Sequence, residues 1–262
     1  MNVVTGTAIW DGAVLTSATN PDPYGDCVLD PCLIRERYAQ LFALDERTNP
    51  LSGSIAEQLG REIIEGDLEA GSIINSAKLA ERFAVSRTPV REALVLLQKE
   101  GLVTMRPQRK TIVSNLSVEQ VHQIYSVRAC LFSFAVELIA CHATDAQIRA
   151  IDEAQRNQEE ALRGGDIDAA FWALVHFENL IINTSGNAVL VETAAPLQIR
   201  TLRLLRQLLT SGLTVDTLNH DARRIIKALY DRDARLASEL YRVLVLSVFS
   251  LIQEVLGPKI ES

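Results

Sequence analysis

The sequence predicts a mainly α-helical chain, with an N-terminal winged helix-turn-helix and a C-terminal antiparallel all-α bundle. Two short amphipathic segments, at residues 76–83 and 86–101, are separated by Ala84 and Val85, which is the helix-turn-helix pattern. Two runs of strand-forming residues follow, at 102–105 and 111–113. After residue 116 the composition is dominated by Leu, Ala, Ile, Val, Glu and Arg, which favours helices.

These signals divide the chain into three parts. Residues 1–50 contain the turn-forming run NPDPYGD, and we expect an N-terminal extension that is largely disordered. Residues 51–116 form the winged-helix domain, which begins with an amphipathic helix bearing Ile55, Leu59 and Ile63 on one face. Residues 117–258 form the helical domain.

The segment 86–101 predicts a DNA-recognition helix. Ser86 or Thr88 can cap its start, and Pro89 fits only in a first helical turn. An apolar face recurs at spacings of three and four, formed by Val90, Ala93, Leu94 and Leu97. Arg87 and Arg91 lie four residues apart and therefore project from a common side, where guanidinium groups can contact phosphate or the guanine edge. The alternative is a solvated basic helix on some other helical protein.

The distribution of charge favours a nucleic-acid partner for this region but not for the rest of the chain. The whole chain carries a net charge of −7, but residues 78–110 contain eight Lys and Arg against three Glu. The basic run RPQRK between the two strands is typical of a wing that lies along the DNA backbone. We therefore expect Ser86, Arg87, Thr88, Arg91, Arg109 and Lys110 to contact double-stranded operator DNA.

With these residues in register, residues 51–116 resemble the winged-helix domain of the GntR family of transcription regulators. The string SRTPVREAL followed by EGLV carries the resemblance. Three residues depart from the family pattern. Ala70 replaces a proline, Ala84 replaces the turn glycine, and Lys110 replaces the glycine at the wing tip. Ala84 places a methyl group at a tight turn, and Lys110 adds a charge where backbone normally approaches DNA.

The second half predicts about six helices joined by short connections, which is typical of an antiparallel bundle. They are expected at residues 117–143, 144–162, 166–184, 187–210, 215–230 and 233–256, with a kink or a new start at Pro196. This half resembles the FCD ligand-binding domain of the FadR subgroup, through YSVRACL, SGNAVL and IIKALYDRDARLA.

The resemblance also implies a metal site, which this sequence does not support. Many FCD domains hold a divalent metal with an aspartate, a histidine four residues later and two further histidines. The matching positions here are Leu174, Glu178, Ala222 and Leu244, so one donor remains where three or more are needed. His176 and His220 lie two residues before lost positions, about 200° away on a helix. We read them as ordinary histidines and expect no metal and no other cofactor.

The bundle core is expected to bind a small-molecule effector that is anionic or partly apolar. Arg128 stands at the arginine of the family pattern and suits an anionic group. Tyr125, Glu178, Asn183 and Arg223 are the further candidates, and we expect Glu178 to pair with Arg223 or with a ligand amine. The alternative is a cavity that has filled in, in a domain that only dimerises.

Other classes of protein fit the sequence poorly. It contains no P-loop, no HExxH and no GxSxG motif, so we predict that it is not an enzyme. The four cysteines have no zinc-type spacing, and only Cys27 and Cys32 would merit a test as a redox pair. Residues 1–20 do not read as a signal peptide. The apolar run 243–252 is too short to span a membrane and is expected in the core or a dimer interface.

The function predicted from the sequence is therefore a DNA-binding transcription regulator, interpreted as a repressor, that a metabolite controls. It is expected to be cytoplasmic and homodimeric. The alternative is a constitutive DNA-binding dimer with a vestigial helical domain. A third reading, a helical enzyme or scaffold with a coincidental basic helix, would show no sequence-specific DNA binding.

Overall fold

The computed structural model describes residues 49–106, 110–211 and 216–260, with the side chains of 216–218 and 256–260 excepted. Nearly all of the predicted N-terminal extension, and with it Cys27 and Cys32, lies outside the described residues. Arg109 at the wing tip also lies outside them.

The N-terminal domain has the predicted helix-turn-helix. Helix α1 covers Pro50–Glu65, α2 covers Ser76–Arg82 and α3 covers Arg87–Lys99. The side chains of Asn49 and Asn75 accept hydrogen bonds from the first backbone amides of α1 and α2. Ser86 occupies the N-cap of α3 as expected, but its side chain makes no capping hydrogen bond.

The wing belongs to a three-stranded antiparallel sheet. Strand β1 is Ile73–Ile74, β2 is Val103–Arg106 and β3 is Lys110–Val113, in the order β1-β3-β2. The sequence indicated β2 and β3 but not β1. Two residues contain too little pattern to mark a strand, and β1 exists only because it pairs with β3.

The C-terminal domain is the predicted helical bundle. Its helices are α4 (Val118–His142), α5 (Asp145–Gly164), α6 (Ile167–Thr184), α7 (Ala188–Thr210), α8 (Asp216–Tyr230) and α9 (Ala234–Ile260). Capping boxes begin α4 at Ser117 and α5 at Thr144. Gly165 ends α5 in the left-handed conformation.

Helix α7 runs continuously through Pro196, so of the kink or new start expected there, the new start does not occur. A proline inside a helix costs about 3 kcal/mol. Buried residues lie on both sides of it, including Ala194, Gln198, Ile199 and Leu202. Tertiary packing of this buried helix therefore outweighs the local preference for a break.

The two domains share apolar packing through α6 and α7. The core of the winged helix continues into Phe171, Trp172 and Val175 of α6 and into Ile199 and Leu202 of α7. Helix α1 packs directly against α7. A separate core in the bundle joins all six of its helices, α6 and α7 included, so α6 and α7 contribute to both cores and lie between the recognition domain and the bundle interior.

By length and composition alone, α4 and the segment Ala234–Val255 of α9 could cross a membrane. The sequence analysis considered only the shorter run 243–252 and therefore did not indicate this. Half of the apolar window of α4 is buried inside the protein, compared with 22% for α9. Tyr241, Leu244 and Ile252 of α9 nevertheless lie in the bundle core. Helix α4 is thus half buried in the bundle, whereas α9 packs one face on the bundle core and presents apolar side chains outward.

Candidate DNA-binding surface and effector cavity

The first candidate site is the outer face of α3. Val90, Ala93 and Leu97 of its opposite face are completely buried, and this burial fixes the rotation of the helix. Ser86, Arg87, Thr88 and Arg91 are consequently all exposed. The structure therefore brings together the four predicted DNA contacts of this helix on one surface.

The two arginines of this surface are available to a ligand. No carboxylate of the described residues pairs with Arg87 or Arg91. The nearest acidic residue along the helix is Glu92. Its Oε2 accepts a hydrogen bond from the hydroxyl of Ser52 on α1 at 2.6 Å. Lys110 is exposed at the start of β3. The surface therefore carries uncompensated positive charge, which suits phosphate.

Sequence reasoning overlooked Val95 on the same helix. It lies four residues after Arg91 and its side chain is 55% exposed. An exposed apolar side chain in line with two arginines can contact a thymine methyl group in the major groove. The signal in the sequence was an apolar residue outside the buried stripe of Val90, Ala93 and Leu97.

The second candidate site is a cavity inside the bundle, with about 700 Å³ of empty space including its mouth to solvent. Most of its lining is apolar, from Leu162, Leu174, Phe177, Leu205, Leu208, Leu209, Ala222, Leu244, Val245 and Val248. The polar lining residues are Tyr125, Arg128, Gln155, Gln158, Glu178, Asn219 and Tyr241. A mainly apolar cavity with a few convergent polar groups is the usual form of a small-molecule site.

A buried ion pair crosses this cavity wall and joins three helices. Arg128 of α4 donates from Nη2 to Oε1 of Glu178 on α6 at 2.7 Å, and from Nη1 to the hydroxyl of Thr201 on α7 at 2.7 Å. The other carboxylate oxygen, Oε2, accepts from Nε2 of Gln198 on α7 at 3.0 Å. Burial alone would lower the pKa of Arg128, but the charge of Glu178, its hydrogen bond, and the nearby Tyr125 and Tyr241 together outweigh burial and hold that pKa above its usual value.

Several other polar atoms of the cavity lining are buried without hydrogen-bond partners. They are the Tyr125 hydroxyl, Nε of Arg128 and Oε1 of Gln155. The Tyr125 hydroxyl lies near Thr201 and Arg128 but makes no hydrogen bond of good geometry with either. Burial raises the pKa of Tyr125 to about 12, so this phenol is neutral at physiological pH.

The predicted effector residues are only partly brought together. Tyr125, Arg128 and Glu178 line the cavity, whereas Asn183 and Arg223 do not. Asn183 lies five residues after Glu178, which turns it to another side of α6, and it is exposed. Arg223 is also exposed and pairs with Glu159 at 3.3 Å. The expected partnership of Glu178 with Arg223 is therefore wrong, because the buried Arg128 is its partner.

The four positions that correspond to metal ligands in FCD domains do converge. Leu174, Glu178, Ala222 and Leu244 all line this cavity, although they come from three helices. His176 and His220 are not among its lining residues. Within the described residues, no three His, Cys, Asp or Glu side chains lie close enough together to hold a metal ion. The residues at these positions do not fit a divalent metal.

Sequence reasoning overlooked four polar residues of the cavity, namely Gln155, Gln158, Asn219 and Tyr241. A signal for the two glutamines was present. They continue the inward-facing stripe that begins with Ile148 and Ile151 on α5. A polar residue in such a stripe is buried although the hydrophobic effect does not favour its burial, which suggests a polar partner or a ligand. Nothing comparable marks Asn219 or Tyr241.

These two sites define a class of protein, a winged-helix DNA-binding module joined to a helical domain with an internal cavity. Comparison with known families identifies it further. Residues 51–113 match the family model "Bacterial regulatory proteins, gntR family", and residues 123–246 match the model "FCD domain". The chain belongs to the GntR family of transcription regulators, with an FCD domain, and the prediction that it is not an enzyme is confirmed.

Individual relatives agree with this assignment. The chain is 32% identical over 147 residues to the HTH-type transcriptional regulator YdhC of Bacillus subtilis. The aligned segment covers 56% of this chain and 65% of that protein. It is 28% identical to the HTH-type transcriptional repressor RspR of Escherichia coli, over 51% of the chain and 59% of the repressor. The matched segments thus span less than two thirds of these relatives.

Among solved structures, E. coli McbR/YncC has the same fold with a TM-score of 0.66 at 20% identity, over 79% of this chain and 98% of that one.

Proposed function

We propose that the protein represses transcription as a homodimer that binds operator DNA in the cytoplasm and responds to a small molecule in the bundle cavity. The exposed, unpaired Arg87 and Arg91 on α3 are the observation that carries the DNA-binding part. The mainly apolar cavity, which opens to solvent at its mouth, supports the effector part. A relative named as a repressor, RspR, supports the direction of regulation.

Base reading by the two arginines can be tested directly. An operator is selected from random duplex DNA with the full-length protein, and its affinity is measured by fluorescence anisotropy at fixed salt. Arg87→Ala and Arg91→Ala should each weaken binding by about 5- to 150-fold, since a base-reading arginine contributes about 1–3 kcal/mol. Arg156→Ala, which removes an exposed arginine of α5, is the matched control. Wild-type affinity in both recognition-helix variants would contradict the proposal.

Lys110→Ala distinguishes a phosphate contact from a base contact. Its binding should weaken equally for all DNA sequences, and the slope of log affinity against log salt should fall by about one unit. A loss confined to the selected operator would contradict the assignment of Lys110 to the backbone.

A second copy of the chain is proposed to cover the apolar faces of α4 and α9. Val127 and Phe134 of α4 and Leu236 and Val243 of α9 are between 45% and 53% exposed, and these two helices pack closely together. One winged helix contacts few base pairs, and two-fold symmetry is the common way to double that contact. Of the apolar run 243–252, expected in the core or a dimer interface, Val243 lies on this surface, whereas Leu244, Val245 and Ile252 lie in the bundle core.

Sedimentation velocity tests the dimer. The wild type should sediment as a dimer at micromolar concentration, and Phe134→Glu or Val243→Glu should shift it towards monomer. Val189→Glu, at a 71% exposed valine of α7, is the control and should leave the dimer intact. A monomeric wild type, with and without DNA, would contradict the proposal.

The alternative is a constitutive DNA-binding dimer whose helical domain senses nothing. Release of operator DNA by a compound that also raises the melting temperature would favour the regulated form.

A further inference from the structure

The charges that face the cavity cancel each other. Among the lining side chains that the structure describes, only Arg128 and Glu178 are charged, and they pair at 2.7 Å. Both terminal nitrogens of Arg128 are engaged, one by Glu178 and one by Thr201. Both oxygens of Glu178 are engaged as well. An entering anion would have to displace Glu178 from the guanidinium, which leaves that carboxylate unpaired, or remain in the cavity without a countercharge.

The positions that would add positive charge through a metal ion are apolar. Leu174, Ala222 and Leu244 lie in the cavity wall and have no donor atoms, while Glu178 is committed to Arg128. Three protein donors are the usual minimum for a stable first-row metal site. These positions therefore present hydrocarbon where a bound metal ion would otherwise attract an anionic ligand.

The unpaired polar atoms indicate which groups a ligand would carry. Nε–H of Arg128 can donate, Oε1 of Gln155 can accept, and the neutral hydroxyl of Tyr125 can do either. Each is buried without a partner, and a buried polar group gains most from a partner that a ligand provides. An oxygen acceptor with a hydroxyl or amide donor nearby would complement all three.

We propose that the cavity binds, without a metal ion, an uncharged and largely apolar small molecule that carries at least one carbonyl or hydroxyl oxygen. The oxygen contacts Tyr125 and Nε of Arg128, and the apolar part packs on Leu174, Ala222 and Leu244. This inference rests on the proposed function in treating the cavity as the effector site, and it specifies the ligand class differently from the anion that the sequence suggested for Arg128.

Three probes with one carbon skeleton test the charge preference: benzyl alcohol, benzoate and benzylamine. Their dissociation constants for the full-length protein are measured at pH 7 by ligand-observed NMR. Benzyl alcohol should bind at least tenfold more tightly than either charged probe. Leu244→Trp, which fills the cavity floor, should abolish its binding.

A charge variant should reverse this order. Glu178→Gln leaves Arg128 uncompensated, so benzoate should bind at least tenfold more tightly to it than to the wild type. Glu137→Gln, at an exposed glutamate of α4, is the matched control and should leave the order unchanged. If Glu178→Gln does not fold, the order of the three probes on the wild type still decides the proposal.

Metal content is measured on protein purified without a histidine tag. It should be far below one equivalent, and a chelator should change neither the melting temperature nor operator binding. Stoichiometric zinc, nickel or manganese that is lost in Glu178→Ala would overturn the metal-free site.

The remaining outcomes also decide the proposal. Benzoate binding to the wild type as tightly as benzyl alcohol would overturn the uncharged ligand class, and so would failure of all three probes to bind. Operator affinity, measured on the same preparations, judges the DNA-binding function independently. Probe binding that fails while operator binding holds therefore refutes only this inference.

Discussion

At the scale of single residues, Ala84 shows what a departure from a family pattern costs. It lies in the turn between α2 and α3 with φ at 53°, a left-handed conformation that favours glycine. A non-glycine residue there costs about 1–2 kcal/mol. The turn nevertheless forms, because the backbone N–H groups of Ala84 and Val85 bond back to α2 and the flanking helices are packed.

Ala84→Gly should therefore stabilise the protein. The relief of the left-handed alanine exceeds the extra backbone entropy of glycine, about 0.4–1 kcal/mol, and we expect a net gain of about 0.5–1 kcal/mol. Urea unfolding measures it. Gly66→Ala is the mirror control, since Gly66 has φ at 94° with open space around its Cα, and it should lose about 1 kcal/mol. A destabilised Ala84→Gly with an unaffected Gly66→Ala would contradict this explanation.

At the scale of elements, the Arg128–Glu178 pair holds α4, α6 and α7 together at the cavity. Removing one partner leaves a buried charge unpaired, so Glu178→Leu should cost about 3–5 kcal/mol. Arg128→Met with Glu178→Leu removes both charges and should recover more than half of that loss. Lys227→Ala, which breaks the exposed pair with Asp231, should cost less than about 1 kcal/mol. A double variant as unstable as the single one would show that the pair is not what limits stability.

The elements also show how far sequence reasoning reaches. Helix starts at Ser117, Thr144 and Asp166 follow from local capping chemistry and agree with the structure. Strand β1 depends on its partner β3, and the continuity of α7 through Pro196 depends on burial. Neither feature can therefore be predicted from the local sequence pattern.

The two sites differ in the same way. The face of α3 follows from helical spacing alone, which is why its four predicted contacts lie together. The cavity joins residues far apart in the chain, such as Arg128 and Glu178, which are 50 positions apart. Their spacing cannot reveal that they pair. The pairing of Glu178 was accordingly assigned to the wrong arginine.

At the scale of the whole molecule, α6 and α7 present one face to the cavity and another to the recognition domain. Leu174 and Phe177 of α6 line the cavity, while Phe171, Trp172 and Val175 belong to the core shared with the winged helix. Leu209 of α7 belongs to both sets. A ligand that moves these two helices therefore acts directly on the support of α3.

The domain boundary is also closely packed at Gly101, just after α3. Its φ is 77°, and a Cβ atom there would lie 2.8 Å from Cγ of Arg200 on α7. A Cβ atom there would force the Arg200 side chain to shift, and the positive φ would strain any other residue. The aliphatic part of the Arg200 side chain thus packs close to the backbone just after the recognition helix α3.

Because the core of the winged helix includes residues of α6 and α7, the two domains should unfold together. Trp172 is 4% exposed within that core and packs edge-on against Phe171, so its fluorescence reports on the domain boundary. In a Trp10→Phe background, which leaves Trp172 as the only tryptophan, thermal unfolding followed by fluorescence and by far-UV circular dichroism should give coincident single transitions. Phe171→Ala should lower that common midpoint without splitting it, since a buried phenylalanine contributes about 3–5 kcal/mol to a core on which both domains depend. Two separate transitions in the Trp10→Phe protein would show that the winged helix is stable without α6 and α7, and a ligand would then need another route to the DNA-binding surface.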